Sequence, residues 1–411
     1  MGKIANPALA KEGEKNFLWA KGHMTALSSI ATKYAKAKPL KGVTVGVCLH
    51  VTKETSVLID SLLLAGAKVK LADANPLSTQ DDIAAYLATR AEVWAWRGQT
   101  GKEYDWCIEQ VLASKPDVII DDGADLHVAG NLKHVASIMG GCEETTTGVL
   151  RLKALEKDGK LGYPVIAINN AKTKYLFDNR FGTGQSTFDG ILRATSLLIA
   201  GKKVVVVGYG WVGKGVAKRA RGLDANVTVV EIDPIKALEA HLDGFLVTNI
   251  AEAATYGDIF ITCTGQKHVI SYAAVKSMKD GAIVCNAGHF DVEIDVKSIM
   301  DEAKSVKQVR PNTDEIVLPS GKRVYLLGKG RIVNLVAAEG HPPEVMQMSF
   351  ANQFMSALYV YKNHSKLKKK VLDVPLAIEH EVANSTLHSL GISIDRATKE
   401  QLKYAESWAL E

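Results

Sequence analysis

The sequence predicts an α/β protein with two doubly wound parallel-sheet domains and a small helical C-terminal tail. Short β-branched runs alternate with helical patterns over residues 40–170, and the alternation resumes over residues 202–334. A chain that alternates strands and helices forms parallel sheets with helices on both faces. Its 411 residues are enough for two or three hydrophobic cores.

The first domain is predicted to begin with an amphipathic helix over residues 17–35. Its strands are expected at residues 42–49, 69–72, 93–96, 118–120 and 165–168, with helices at 55–64, 82–91 and 103–113. Residues 78–81 are a candidate N-cap for the second of these helices. Polar side chains follow the strands, namely His50, Thr52, Glu54, Ser78, Gln80, Asp121, Asp122, Asp125 and Asn169. Because ligands bind at the carboxyl ends of parallel strands, this domain is predicted to bind the substrate.

The most informative stretch is a strand–turn–helix–strand unit over residues 202–233. Gly208, Gly210 and Gly213 follow a buried strand in GxGxxG spacing, and Glu231 lies near the end of the next strand. In a Rossmann unit such glycines permit a tight turn, close approach of the backbone to a pyrophosphate, and close packing of helix on strand. An acid about 20 residues further on can bind both ribose hydroxyls of NAD and repel the 2′-phosphate of NADP. The pattern predicts NAD binding; the alternative is a glycine-rich turn in another α/β domain.

The remaining elements divide the chain into domains. A linking helix is predicted over residues 186–200, and further strands at 260–263, 282–285, 323–327 and 332–334 complete a Rossmann NAD domain over residues 185–341. An apolar helix over residues 342–361 returns the chain to the first domain, which comprises residues 1–184 and about 342–370. Residues 371–411 are expected to form a dimerisation tail that docks on a partner subunit.

Composition predicts a cytoplasmic protein. The formal charge is +5, and the lysine cluster at residues 366–370 is interpreted as a solvated face or hinge and not a nucleic-acid site. The cysteines are five in number and form no CxxC motif, which favours free, mostly buried thiols in a reducing compartment. No signal peptide is visible, and no apolar run approaches the ~20 residues of a membrane span. Neither nucleic acid nor a membrane is expected as a partner.

Several side chains could carry chemistry. Lys174 and Asp178 are four residues apart and can share one face of a helical turn, either as a reactive pair at a domain junction or as an ordinary surface ion pair. His289 and His341 each follow a glycine, and each could be a base, a ligand or a structural residue. The acids and threonines of residues 141–148 favour a site for a hydroxyl-rich ligand over a helix cap. No histidine pairing or cysteine cluster predicts a metal.

The chain resembles the S-adenosyl-L-homocysteine hydrolase (adenosylhomocysteinase) family over nearly its whole length. The stretches that carry the resemblance are STQDD (78–82), VWAWRGQTGKEYDWCIEQ (93–110), DDGADL (121–126), EETTTGVLRL (143–152), FDNRFGTGQS (177–186), AGKKVVVVGYGWVGKG (200–215), EIDPIKALEA (231–240), CNAGHFDVEID (285–295) and GRIVNL…GHP (330–342). Together these motifs are far more specific than the glycine turn alone.

The resemblance implies a reversible hydrolysis that uses tightly bound NAD. The nucleoside 3′-hydroxyl is oxidised to a ketone, which acidifies the 4′-proton and permits elimination of the 5′-thioether. Water then adds to the enone and the ketone is reduced again, so that S-adenosylhomocysteine yields adenosine and homocysteine without net redox change. A simple NAD-linked dehydrogenase and a catalytically silent NAD- or nucleoside-binding regulator are the alternatives from other functional classes.

The resemblance also implies roles for individual residues. Lys174 and Asp178 would engage the 3′-hydroxyl, supported by Glu144 and Asn179, and Lys174 would be the base. The groups around the 5′ carbon would be His50, Asp122 and His289, and the purine would be held by Thr52, Glu54 and His341. The cofactor-binding residues would be Thr145, Thr146, Thr147, Asn179, Gly208, Gly210, Trp211, Val212, Gly213, Glu231, Asn286 and Asn334.

Three positions depart from the commonest family pattern. Thr183 stands where a cysteine near the nicotinamide is usual, and Trp211 stands where many members have aspartate. The tail ends at Glu411, short of the Lys…Tyr ending of many members, as in archaeal and thermophilic bacterial relatives. Some relatives of that kind prefer the inosyl analogue, so S-inosylhomocysteine is the alternative substrate. A homotetramer is expected from the resemblance.

Overall fold

The computed structural model describes residues 2–408 and contains two α/β domains, each built on an eight-stranded sheet. The first domain is formed by β1 (Lys3–Ile4), α1 (Ala10–His23), α2 (Thr25–Thr32), β2 (Thr44–Cys48), α3 (Lys53–Leu64), β3 (Lys68–Ala72), α4 (Asp81–Ala88), β4 (Glu92–Ala95), α5 (Gly101–Ala113), β5 (Val118–Asp121), α6 (Asp125–Leu132), β6 (Gly140–Glu143), α7 (Thr146–Lys157), β7 (Val165–Ala167) and α8 (Lys172–Tyr175). A π-helical turn, Asp178–Gly182, then leads into α9 (Thr183–Thr195).

The second domain follows α9, and the chain then returns to the first. Its elements are β8 (Lys203–Val207), α10 (Trp211–Gly222), β9 (Asn226–Val230), α11 (Pro234–Leu242), β10 (Leu246–Thr248), α12 (Ile250–Ala254), β11 (Ile259–Thr262), α13 (Tyr272–Ser277), β12 (Ala282–Asn286), α14 (Val296–Asp301), β13 (Ser305–Arg310), β14 (Thr313–Val317), β15 (Arg323–Leu327) and α15 (Val333–Val336). The returning segment comprises α16 (Pro343–Asn363), β16 (Val371–Asp373), α17 (Leu376–Ser389) and α18 (Lys399–Ala405).

Both sheets have helices on both faces, as the sequence predicts. The first sheet has the order β1-β4-β3-β2-β5-β6-β7-β16 and is parallel throughout. The second has the order β10-β9-β8-β11-β12-β15-β14-β13, with antiparallel pairing only at β15-β14-β13. The strands are apolar because both faces are buried: Val204–Val207 of β8 are each at most 4% exposed. The prediction of two parallel-sheet domains is confirmed.

One predicted helix and one predicted strand are wrong. The helix expected over residues 17–35 is two helices that meet at Met24, whose ψ of 49° is not helical. The strand expected over residues 332–334 is largely the helix α15, and only Ile332 makes a single bridge to Asn286. The candidate N-cap at residues 78–81 also fails, because Ser78 and Thr79 donate to Asp73 instead of capping α4.

Strand β6 was missed because its sequence, GGCE, lacks β-branched residues. The glycines leave room for neighbours that side chains would exclude. A Cβ on Gly140 would lie 2.5 Å from Val360 Cγ1 of α16, and one on Gly141 would lie 2.4 Å from His127 Cε1. The polar segment before α7 is therefore the carboxyl end of a central strand.

Part of the predicted C-terminal tail belongs to the first domain. Strand β16 extends the first sheet beside β7, and Ile378 and Val382 of α17 lie in the same core as α2 and α16. In the described chain, α18 contributes no buried side chain, and residues 409–411 of the predicted tail lie outside the described residues. The predicted tail boundary at residue 371 therefore falls inside the packed domain.

All cysteines are free and buried, in agreement with the sequence prediction. Across residues 2–408, no helix has both the length and the apolar composition needed to cross a membrane.

Candidate active site

A cavity of about 360 Å³ opens where the carboxyl ends of the two sheets face each other. Most of the predicted site residues line it, namely His50, Thr52, Glu54, Asp122, Glu144, Thr145, Thr146, Thr147, Lys174, Asp178, Asn179, Gly210, Trp211, Val212, His289, Asn334 and His341. Four predicted residues, Gly208, Gly213, Glu231 and Asn286, lie outside its lining. Helix α16 adds the apolar side chains Met346 and Phe350.

The centre of the cavity wall is a buried network around Lys174. Its Nζ donates to Asn179 Oδ1 at 2.8 Å and lies 3.3 Å from Asp178 Oδ2 and 3.6 Å from Glu144 Oε1. Lys174 and Asp178 are brought together by the end of α8 and the π-helical turn, and both are at most 4% exposed. The interpretation of this spacing as a surface ion pair is therefore wrong.

The charges of this network shift one another's pKa values. Burial by itself raises the pKa of Asp178, but Lys174 and His341 lower it well below its ordinary value. Burial lowers the pKa of Lys174, but Asp178 and Glu144 more than offset this and raise it. Burial raises the pKa of Glu144 to about 8, against the opposing charge of Lys174. Near neutral pH, Asp178 is thus ionised while Glu144 can exchange a proton.

A second cluster lies across the cavity, at Asp122. Asp122 Oδ2 lies 3.6 Å from His50 Nε2, and Asp122 Oδ1 lies 3.5 Å from His289 Nδ1 of the second domain. Burial lowers the pKa of His50 to about 4, so this imidazole is neutral at pH 7. Its Nδ1 lies 2.7 Å from Ser78 Oγ, which also contacts Asp73. If the Ser78 hydroxyl donates to Asp73, His50 carries its proton on Nδ1 and its Nε2 can accept one.

Thr52 and Glu54 lie at the start of α3. Thr52 is the N-cap, and its Oγ1 accepts a hydrogen bond from Thr55 N at 3.4 Å. Glu54 is 2% exposed, and its Oε1 lies 3.2 Å from Lys53 Nζ. Burial raises the pKa of Glu54 despite the nearby Lys53. This end of the cavity offers a hydroxyl and a buried carboxyl group.

His341 lies beside the Lys174 network. Its Nδ1 is 2.9 Å from Asp178 Oδ1 and its Nε2 is 3.1 Å from Thr183 Oγ1. The predicted purine contact of His341 therefore stays a prediction, and the structure adds a contact with Asp178 that sequence spacing could not reveal.

Two family models match this chain. Residues 2–133 match the family model described as S-adenosyl-L-homocysteine hydrolase, and residues 179–340 match its NAD binding domain. The chain belongs to the S-adenosyl-L-homocysteine hydrolase family. The second match coincides with the unit that begins at the π-helical turn and ends beside His341. NAD is the cofactor of this family domain.

Relatives of this hydrolase family match over the full chain. The protein named adenosylhomocysteinase from Saccharolobus solfataricus is 55% identical over 99% of this chain and 98% of its own length. The adenosylhomocysteinase of Aquifex aeolicus is 52% identical, with 99% of each chain covered. The S-inosyl-L-homocysteine hydrolase of Methanocaldococcus jannaschii is also 52% identical, with 99% of each chain covered. These relatives come from archaea and a thermophilic bacterium, as the resemblance implies.

A solved structure supports the fold alone. A dipicolinate synthase chain from Bacillus halodurans aligns with a TM-score of 0.50 at 15% identity, over 80% of this chain and 100% of that one.

The glycine turn of the hydrolase fits a dinucleotide. Gly208 has a φ of +100°, and a Cβ on Gly213 would lie 1.9 Å from Gly208 O. A Cβ on Gly210 would meet no described atom within 4 Å, so the turn leaves open space there. Trp211 begins α10 and stacks on Tyr175, with ring centroids 5.3 Å apart. The N-terminus of α10 thus faces the cavity, as phosphate binding requires.

Two residues that line the cavity have buried polar atoms without a hydrogen-bond partner among the described residues. Within residues 2–408, Asn334 Oδ1 and Thr147 Oγ1 are buried without a hydrogen-bond partner. Glu231 lies just beyond β9 and accepts from the backbone N–H groups of Tyr209, Ile232 and Asp233, which orients its carboxylate beside the turn. Such unpaired atoms and an oriented acid suit the hydroxyl and amide groups of NAD.

Asn286 differs from its predicted role. It is fully buried, its Oδ1 accepts from Thr262 Oγ1 and Gly288 N, and its Nδ2 donates to three backbone carbonyl groups. Its hydrogen-bonding groups are thus occupied by the loop after β12. A contact between Asn286 and the cofactor remains only a prediction.

Two residues of α16 that support the site were missed. Ser349 Oγ donates to Asp178 Oδ2 at 2.7 Å, and Gln353 Nε2 donates to Glu144 Oε2 at 2.6 Å. They are four residues apart and therefore share one face of the helix. Polar residues with this spacing inside an apolar helix were the available signal.

Proposed function

We propose that this protein hydrolyses S-adenosyl-L-homocysteine to adenosine and L-homocysteine with bound NAD. The observation that carries the proposal is the Lys174 network, which faces the same cavity as the dinucleotide-binding turn. A hydroxyl group of the substrate can thus meet a base and a hydride acceptor in one site.

Lys174 is proposed to take the proton of the sugar 3′-hydroxyl once its ammonium group has passed a proton to Glu144. The turn of Gly208, Gly210 and Gly213 and the carboxylate of Glu231 would hold NAD⁺, which would supply a reversible hydride acceptor for the same sugar carbon. Asn179 and Asp178 hold Lys174 Nζ in place. Burial raises the pKa of Glu144 to about 8, so a fraction of this group is ionised near neutral pH, and in that form it can receive a proton from Lys174 and later return it.

The Asp122 cluster is proposed to move protons at the 5′ carbon. A neutral His50 can accept a proton, and Asp122 lies between it and His289 of the other domain. The sequence predicted no metal, and this prediction stays untested. We assign these three groups to proton transfer between the leaving thiol and water.

Thr52 and Glu54 are proposed to bind the purine, with His341. The carboxylate of Glu54 can accept from the 6-amino group of adenine or from the ring N–H of hypoxanthine. Relatives with about the same identity carry both substrate names. S-inosyl-L-homocysteine is therefore the second candidate substrate, and kcat/KM for the two thioethers decides between them.

The decisive experiment measures homocysteine thiol released from S-adenosylhomocysteine by protein that carries bound NAD. We expect thiol release without net NADH. Thiol-free accumulation of NADH would indicate a simple dehydrogenase, and binding without either product would indicate a regulator. Both results would contradict the proposal.

The predicted NAD-binding domain over residues 185–341, a cytoplasmic location and a homotetramer also belong to this proposal. Exposed apolar side chains near the C-terminus support assembly: Leu402, Tyr404 and Trp408 are at least 55% exposed. Light scattering on the full chain and on a chain truncated after Leu390 tests this. An unchanged number of subunits per particle would contradict a role of the tail in assembly.

A further inference from the structure

Glu143 lies directly beneath the proposed active site and has no role in the steps above. It ends β6, where it is the register partner of Asp121 at the end of β5, and both side chains are fully buried. The next residues along these strands, Asp122 and Glu144, line the cavity. Each strand thus presents one acid to the cavity and keeps one acid below it.

One oxygen of Glu143 connects the two turns that carry the cavity acids. Its Oε1 accepts hydrogen bonds from Gly123 N at 2.8 Å and from Thr145 N at 3.0 Å. These two amides directly follow Asp122 and Glu144. The position of Glu143 Oε1 therefore sets the distance between the two acids.

The Gly123 peptide has little freedom to move. Its φ is +105°, and a Cβ on Gly123 would lie 2.5 Å from His289 Nε2. Arg151 of α7 donates to its carbonyl oxygen. Because His289 Nδ1 lies 3.5 Å from Asp122 Oδ1, a shift of this peptide changes a distance inside the reaction centre.

The other oxygen of Glu143 faces no hydrogen-bond partner. In the described chain, Oε2 is buried and unpaired. The titratable and charged groups around it come from the neighbouring strands and helices: Asp121, Asp122, Asp125, His127, Cys142, Glu144, Arg151 and Tyr163.

The cationic candidates in this set are already engaged. Arg151 pairs with Asp125 and with the Gly123 carbonyl. The ring nitrogens of His127 face the Tyr163 hydroxyl and the Cys142 carbonyl. Burial, followed by the charges of Asp121 and Asp122, raises the pKa of Glu143 well above its ordinary value.

We propose that Glu143 is a positioning residue that acts as a neutral carboxylic acid, whose Oε1 holds the Asp122 and Glu144 turns while Oε2 keeps the proton. An ionised Glu143 would add a buried negative charge next to Asp122 without a cation to balance it. The inference rests on the proposed function, because it concerns the same reaction centre.

The test compares Glu143→Gln with Glu143→Leu in the holoenzyme. Glutamine keeps a neutral side chain and an oxygen that can accept both amide hydrogens. We expect kcat within about threefold of the parent at pH 7 for Glu143→Gln, and a loss of about a hundredfold for Glu143→Leu. Because a neutral Glu143 and a glutamine both carry no charge, kcat should depend on pH in the same way in Glu143→Gln and in the parent between pH 6 and 8.

Glu293 is a matched control with a different hydrogen-bond pattern. It is buried, and each of its oxygens accepts a backbone N–H, from Thr264 and Gly265, both at 2.8 Å. Glutamine at 293 must turn its NH₂ group toward one of these donors. Glu293→Gln is therefore expected to lower the Tm and the NAD content, whereas Glu143→Gln should leave both unchanged.

Gly148→Ala tests the same contact from the other side. A Cβ on Gly148 would lie 2.1 Å from Glu143 Oε1, so alanine must displace the carboxyl group. We expect Gly148→Ala to lower kcat in the parent and to add little in the Glu143→Leu background.

Three results would overturn the inference. They are a Glu143→Gln protein as inactive as Glu143→Leu with parental Tm and NAD content, a pH dependence of kcat between pH 6 and 8 that differs between the parent and Glu143→Gln, and additive effects of Gly148→Ala and Glu143→Leu. If the parent itself releases no homocysteine, the proposed function fails instead.

Discussion

At the scale of single residues, the site depends on how buried charges balance one another. Lys174 is almost fully buried, and its ammonium group is stabilised by Asp178 and Glu144. Removing one member of such a group leaves an uncompensated charge, which costs several kcal/mol. The same residues that stabilise this wall of the cavity are therefore those proposed to transfer the proton.

Lys174→Ala is expected to abolish oxidation of the sugar and to lower the stability, while the protein still adopts its fold. Loss of the base should slow the first half-reaction by at least about a hundredfold. The measurement is NADH absorbance after mixing the holoenzyme with adenosine. Lys172→Ala is the control, since Lys172 is exposed on the same short helix. Full activity of Lys174→Ala would refute the assigned role.

His127 is expected to make the fold sensitive to acid. Burial lowers its pKa from 6.5 to about 4, so the unfolded chain binds more protons than the folded chain between these values. Its contribution is present above pH 6.5 and is lost as the pH falls toward 4, with an upper limit on the order of 3 kcal/mol. His127→Gln should reduce the difference in unfolding free energy between pH 7.5 and 4.5, as urea titrations can show. An unchanged difference would contradict this account.

At the scale of elements, glycines bring helices close enough to shape the cofactor site. A Cβ on Gly215 of α10 would lie 1.8 Å from Arg180 O in the π-helical turn, and one on Gly184 of α9 would lie 2.7 Å from the Gly215 backbone. Helix α10 carries the dinucleotide turn at its N-terminus, and the π-helical turn carries Asp178 and Asn179. Their close contact thus couples the NAD turn to the Lys174 network.

Gly215→Ala is expected to destabilise the protein by about 1–3 kcal/mol through overpacking and to weaken NAD binding. Thermal unfolding and the NAD content after dialysis are the measurements. Gly222→Ala on the same helix is the control, since a Cβ there would meet no described atom within 4 Å. The control should be neutral or stabilising by up to about 1 kcal/mol. Equal effects of the two substitutions would contradict the packing argument.

At the scale of the whole molecule, polar contacts hold the two domains together around the cavity. Lys53 Nζ lies 2.9 Å from Glu339 Oε2, and Glu339 Oε1 lies 3.1 Å from an Arg193 nitrogen. Arg97 of the first domain donates to Val336 O at 2.6 Å. Because Lys53 also contacts the buried Glu54, this bridge reaches the proposed purine site.

Glu339→Gln is expected to weaken adenosine binding severalfold with a change in stability below about 1 kcal/mol, because Glu339 is half exposed. Calorimetric titration at low salt and near 1 M salt measures this, and screening should remove the difference at high salt. Glu109→Gln, which breaks the exposed pair with Lys133 inside the first domain, is the control. An equal affinity at low salt would contradict a role of this bridge in closure.

Much of the fold could be predicted because residue patterns over short stretches of the chain indicate the strands and the dinucleotide turn. Strands buried on both faces need apolar β-branched runs such as residues 204–207, and a dinucleotide turn needs glycine at defined intervals. Strand β6 could not be predicted, because glycine has a low strand propensity. Gly140 and Gly141 are needed there because a Cβ at either position would clash with neighbouring atoms. The break at Met24 and the helix α15 also depend on tertiary packing.

The sequence by itself determined the parallel sheets, the NAD turn and the family, because each depends on residue types at short, regular intervals. Only the tertiary structure decided which side chains meet: His50, Asp122 and His289 come from separate elements and two domains. It also assigned Asn286 and Glu143 to hydrogen bonds with the backbone. Such contacts depend on strand register and on how the domains face each other. Residue spacing along the chain reveals neither the register nor the orientation of the domains.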